Sequence, residues 1–263
     1  MARNLIQGTI PREWQKSKVI MIFKRGKDHE KMKGWLPINL INCIGKQEEN
    51  VVADVFQGCA LLHKYQFESV KGRSTTETAL RTVTSVQQCL AKGRAVGWGF
   101  WDVKGSFQNV REEDVIRELE KSEEAKKWIL WVRGFFRARS FELEWDGKKR
   151  RKGKTNLRAL QGSPLTPIIF LIWIASIVTK MDIAIREIAS YDNKLPSYID
   201  NLHVNIYNWN WIHVNMDLLL KSINEVVNRV AKENHLPLEE SKHETLVLRK
   251  KRRKKNKHMK WVT

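Results

Sequence analysis

Two aspartates have the surroundings that metal-assisted chemistry requires. Asp102 closes the uncharged run Gly97 to Trp101, and Asp200 lies in Tyr198-Ile199-Asp200-Asn201. A carboxylate at the end of an apolar strand is partly desolvated and needs a cation or hydrogen-bond donors. Two such carboxylates brought side by side hold hard divalent ions such as Mg²⁺. Two ions about 3.5–4 Å apart activate an attacking hydroxyl and stabilise a leaving oxygen. Asn201 keeps the shape of a carboxylate and one acceptor oxygen, but not the charge.

Convergence of the pair requires particular elements. Val96 to Val103 reads as a strand that carries Asp102 to its end. Ser197 to Tyr207 reads as a hairpin of two short strands with Asp200 at its tip. Upstream, Trp14 to Asn39 is a basic hairpin region. In it Val19 to Phe23 is a strand and Lys24-Arg25-Gly26-Lys27 a cationic turn. Helices are expected at Gly45–Gln57 and at Met216–Asn234, a long one at Pro164–Ser190, and residues Glu112 to Arg139 are mostly helical. Ser74-Thr75-Thr76-Glu77 is a capping box, and the helix behind it sets Leu80, Val83, Val86 and Leu90 on one face up to Gly93. Phe141 to Trp145 alternates before the turn signal Asp146-Gly147. Leu236 to Leu248 reads as turn and strand. Strands separated by helices around an antiparallel hairpin define an α+β fold.

The 263 residues suffice for one good core or two modest ones. Net charge is +19, and nine of the cations lie between Arg249 and Lys260, so the remainder still carries +10. An excess that survives removal of the tail points to a polyanionic partner, nucleic acid. Cys43, Cys59 and Cys89 are widely spaced, which suggests neither a disulfide framework nor a zinc site and fits a reducing compartment. No secretory signal precedes the first motif. The most apolar run, Ile168 to Val178, is too short to span a bilayer and reads as a buried helix.

Three blocks in order resemble motifs A, B and C of reverse transcriptases, with wording like that of fungal non-LTR (LINE-type) retrotransposons. They are Phe100-Trp101-Asp102-Val103-Lys104-Gly105-Ser106-Phe107, then Gln161-Gly162-Ser163-Pro164-Leu165-Thr166-Pro167, then Tyr198 to Asn201. The resemblance implies a right-hand polymerase fold of fingers and palm around a central antiparallel sheet, and an RNA-directed DNA polymerase that extends a primer 3′-hydroxyl. Fingers and the passage to the palm would occupy residues 1–95, the palm 96–248, and a basic tail 249–263, with the thumb missing. Asp102 and Asp200 match metal-binding aspartates for two Mg²⁺ (or Mn²⁺) ions. Phe107 matches the bulky residue that admits only deoxyribose. Gln161 and Gly162 line the nucleotide site, where the glycine allows close backbone approach. Lys242 matches the motif D lysine, a general acid for pyrophosphate. Lys24, Arg25 and Lys27 match cations that neutralise the triphosphate. Arg73, Tyr198, Arg252 and Arg253 fall where the family contacts nucleic acid. The implied partners are an RNA template, a DNA primer and dNTPs, with no membrane. The implied location is intracellular, nuclear, or alternatively mitochondrial.

The sequence departs from the pattern at four polar positions. Asn201 replaces an aspartate, Gln108 stands where aspartate is frequent, Leu36 where arginine is usual, and Val70-Lys71 replaces Arg-Pro. Two ions then face two carboxylates instead of three. A loss of ~4 kcal/mol would slow the reaction on the order of a thousandfold. The expectation is therefore an impaired polymerase. The alternative is a catalytically silent nucleic-acid-binding remnant that uses the same groove and charge. An organellar intron maturase fits the wording of motifs A and B less well.

Overall fold

A computed structural model describes residues 7–67, 69–137, 139–145, 148–155, 159–188, 197–198, 201–207 and 215–249. Its strands form two four-stranded sheets. The first contains β1 (Lys16–Phe23) and β2 (Trp35–Ile41). These are joined by β4 (Arg139–Trp145) and β5 (Lys148–Thr155), in the order β2-β1-β4-β5. The β1–β4 pair is parallel and its neighbours antiparallel. The second contains β3 (Val96–Asp102), β6 (Ser197–Tyr198), β7 (Asn201–Tyr207) and β8 (Glu244–Leu248). It is antiparallel throughout, in the order β6-β7-β3-β8. Among the described residues six helices of two or more turns accompany them: α1 (Cys43–Gly58), α2 (Thr75–Ala91), α3 (Glu112–Leu119), α4 (Ile129–Phe136), α5 (Thr166–Ile188) and α6 (Met216–Glu233). The architecture is α+β, as the sequence predicts.

The core is built on α5. Its stretch Ile168 to Ala175 is buried throughout, and α1, α3, α4, α6 and the second sheet pack around it. The bilayer argument from length fails, because the helix runs 23 residues and is long and apolar enough to cross a membrane. What makes it a core helix is burial inside the protein, which covers 72% of its most apolar window. It starts two residues after Pro164, where the Ser163 hydroxyl accepts from the Thr166 amide.

Four local readings are corrected. The mostly helical stretch from Glu112 to Arg139 is interrupted after Leu119, and the Ser122 hydroxyl accepts from the Ala125 amide where the chain turns helical again. Arg139 opens β4 instead of closing a helix. Leu80 and Val83 of α2 are exposed, and only its Val86 and Cys89 are buried. Finally, six cations in eight residues hid β5, which exists because seven of its residues pair with β4 around a register shift between Leu143 and Glu144. The cap of α2 is half a capping box: Ser74 accepts from the Glu77 amide, while the Glu77 carboxylate takes Arg81. Asp146 and Gly147, the expected hairpin turn, lie outside the described residues. The first sheet also crosses the boundary expected at residue 95, since residues 139–155 join β1.

Candidate active site

The register of the second sheet brings motifs A and C together. Asp102 is paired with Asn201 across β3 and β7, and Tyr198 with Asn201 across β6 and β7. Directly opposed residues have Cα atoms about 4.5–5.5 Å apart. Asp200 lies outside the described residues, as do Arg252 and Arg253. Tyr198 and Asn201 are placed at the level of backbone pairing.

Alternation along β3 aims Asp102. A Cβ on Gly97 would stand 2.7 Å from the Met216 sulfur, and the Trp101 indole donates to Asn224 Oδ1 at 2.9 Å. Odd positions therefore face α6, and Trp98, Phe100 and Asp102 share the other face. The turn before β8 is stapled to the end of β3. The Glu239 amide donates to the Asp102 carbonyl at 2.8 Å, and the Lys104 amide to the Pro237 carbonyl at 2.9 Å. That staple delivers Lys242, whose Nζ sits 2.7 Å from Asp102 Oδ2. The carboxylate is 20% exposed and the lysine 62%. Beyond Asp102 the chain reverses through Gly105, at φ +59°. Phe107 follows, half-buried, with its ring edge-on to Phe170 of α5 at 5.7 Å.

Motif B is tied to the first sheet. The Asn39 amide donates to the Gln161 carbonyl at 2.7 Å. Gly162 has φ +115°, and a Cβ there would fall 2.3 Å from the Asn39 carbonyl oxygen. The close approach that demands glycine is thus to strand β2. Ser163 donates to Glu49 Oε2 at 2.5 Å, and Arg139 reaches Glu49 Oε1 with both terminal nitrogens at 3.3 Å. All three side chains are buried. Burial pushes the Glu49 carboxyl above its ordinary range, while Arg139 and Ser163 pull it back. Beside it Trp131 donates to Glu48 at 2.9 Å. Sequence reasoning passed over Glu48, Glu49 and Arg139. A signal was present: both glutamates fall on the apolar stripe of α1, one turn ahead of Val52, Ala53 and Phe56.

The remaining residues divide by what holds them. Lys24, Arg25 and Lys27 are exposed at the β1–β2 turn and make no ion pair among the described residues. The Lys24 amide, donating to the Gly34 carbonyl at 2.8 Å, closes that turn. Arg73 is committed to the protein. Its guanidinium donates to the carbonyls of His63, Lys64 and Gln66 and lies over the Phe67 ring. His203, two residues past Asn201, stacks on Phe100 at 6.1 Å, and burial lowers its pKa to about 4.

This arrangement of sheets and motifs is that of a polymerase, and comparison with known proteins agrees. Residues 22–262 match the family described as "Reverse transcriptase (RNA-dependent DNA polymerase)", and the chain belongs to that family. Its relatives place it among LINE-type domains. It is 24% identical over 202 residues to the RNA-directed DNA polymerase from mobile element jockey of Drosophila melanogaster, covering 75% of this chain and 22% of that protein. It is 23% identical over 171 residues to a probable RNA-directed DNA polymerase from transposon BS of the same fly, covering 64% and 19%. The chain thus spans about a fifth of the length of these relatives. Among solved structures, apo telomerase from Candida tropicalis truncated from its C-terminal domain matches with TM-score 0.59 at 16% identity, over 91% of this chain and 51% of that one. Telomerase from the same yeast in complex with a TWJ fragment of telomeric RNA matches with TM-score 0.59 at 14% identity, over 91% and 42%. These likenesses show the right-hand polymerase fold.

Proposed function

We propose that this domain is the catalytic part of an RNA-directed DNA polymerase that extends a DNA primer on an RNA template by two-metal chemistry, with a rate depressed by Asn201. The pairing of Asp102 with Asn201, at the end of a sheet that also delivers Lys242, carries this reading. Asp102 suits a cation: its carboxylate stands at the open end of β3 and already takes an ammonium group as counter-charge. Among the described residues no three potential ligands gather, so the site depends on Asp200. Two Mg²⁺ or Mn²⁺ ions held by Asp102 and Asp200, with Asn201 at the third position, would supply the charge that activates the primer hydroxyl.

The other roles belong to side chains. Lys242 would protonate the departing pyrophosphate, and its ammonium group lies beside Asp102. Phe107, braced by Phe170, would press under the sugar and exclude a 2′-hydroxyl. Lys24, Arg25 and Lys27 would meet the triphosphate, and Gln161 and Gly162 would line the nucleotide site. Tyr198, Arg73, Arg252 and Arg253 would contact the nucleic acid, Arg73 only if it leaves its three carbonyls. The basic tail suits a nuclear address, with mitochondria as the alternative; a fluorescent fusion distinguishes them.

Purified protein supplied with RNA template, annealed primer, dNTPs and Mg²⁺ or Mn²⁺ tests the reading. Extension that vanishes in Asp102→Asn is the expected result. The uncharged Asn201 favours a second reading, a silent binding remnant. Absence of extension together with salt-sensitive duplex binding would select that one.

A further inference from the structure

Toward the Trp98 end of the second sheet lies a cavity of about 280 Å³ that the polymerase roles touch only through Arg73. It opens between α2 and residues 64–67 and 72–73, and its floor is Asn205 of β7. On β7, Leu202, Val204 and Ile206 enter the main core, so Asn205 points the opposite way, toward α2. Asn205 is 3% exposed, and its Oδ1 has no hydrogen-bond partner. Its neighbour across the ladder, Trp98, likewise has a buried indole N–H without a partner. A buried polar atom left unpaired costs about 1–3 kcal/mol, so an acceptor at the bottom of a cavity favours a ligand with a donor.

The walls specify the rest of that ligand. Thr78, Thr82 and Ser85 line the cavity at helical spacing. Lys64 and Arg81 stand at its rim, Lys64 over the Tyr65 ring at 4.9 Å and Arg81 paired with Glu77 at 2.7 Å. With Arg73, three cations meet one carboxylate. Trp98 lies four residues from Asp102 on the same sheet face, about 13 Å away along the strand. Between them Phe100, 36% exposed, stacks on His203. An exposed aromatic surface between the cavity and Asp102 suits the bases of a single strand.

We infer that this cavity binds one nucleotide of single-stranded RNA, the base edge donating to Asn205 and the phosphate meeting Lys64 and Arg81. The inference rests on the nucleic-acid reading above but not on catalysis. AMP and a short single-stranded RNA are titrated in EDTA by ligand-observed NMR and calorimetry, with ribose 5-phosphate as the control without a base. AMP is expected to bind at millimolar concentration and better than ribose 5-phosphate. Asn205→Leu and Ser85→Phe, which alter the floor and the helix wall separately, should each weaken AMP by about tenfold. At saturating template, primer extension by each variant should stay within about twofold of the parent, since neither residue belongs to the catalytic set. Equal binding of AMP and ribose 5-phosphate, AMP binding unchanged in both variants, or displacement of AMP by an acidic peptide but not by RNA would overturn the inference. Extension lost in the parent protein while AMP binding persists would count against the polymerase reading alone.

Discussion

The two ends of the nucleotide-handling region are built to different standards. Motif B is buried and bonded several times over: Gln161 to Asn39, Gly162 against the Asn39 carbonyl, and Ser163 to a glutamate that Arg139 also holds. The motif A end presents one partly exposed carboxylate, and its described side-chain partner is a lysine that is mostly in solvent. Exposed ion pairs contribute about 0–1 kcal/mol, whereas breaking a buried one costs about 3–5 kcal/mol. The motif B anchor therefore belongs to the fold, while the acidic end contributes little to it. An altered carboxylate such as Asn201 can sit at the second place without unravelling the first.

That contrast can be broken in several ways. Glu49→Ala should destabilise the domain by about 3–5 kcal/mol, because Arg139 is left charged, buried and alone. Urea unfolding measures it, and the double change with Arg139→Met should recover a large part. A loss below about 1 kcal/mol would mean that motif B is not anchored by charge. Asn201→Asp should raise primer extension on the order of a thousandfold and leave the urea midpoint nearly unchanged. An unaltered rate would remove the missing carboxylate as the cause of impairment. Lys242→Met should slow extension on the order of a hundredfold, as expected for loss of a general acid, and shift stability by less than about 1 kcal/mol. Equal falls in rate and stability would make the lysine structural. Gly162→Ala should cost about 1–3 kcal/mol, because alanine meets both a left-handed backbone and the Asn39 carbonyl. A neutral result would show that the loop can retreat from β2.

How far these features were readable depends on the range of the forces behind them. Asp102, the Gln161 to Pro167 block and most strands and helices stood out because alternation, apolar periodicity and turn residues are local signals. The interruption after Leu119 was not legible because it lies within a stretch whose apolar periodicity continues, with a serine bonded to the Ala125 amide at its far side. Strand β5 was missed because its cations oppose the strand propensities, and pairing with β4 overrides them. Arg73 matched a nucleic-acid position by residue type alone, and only the structure shows its guanidinium set against three backbone carbonyls.

Alone, the sequence determined the α+β class, the order of the motifs, the cationic excess and the substitution at Asn201. Each is a matter of residue type and short spacing. Only the tertiary structure decided that Gly162 answers to the Asn39 carbonyl, that Glu49 joins Arg139 to Ser163, and that Lys242 reaches Asp102. These contacts join residues 90 to 140 positions apart. No local preference encodes them, and they appear only when packing around α5 brings the two sheets to their places.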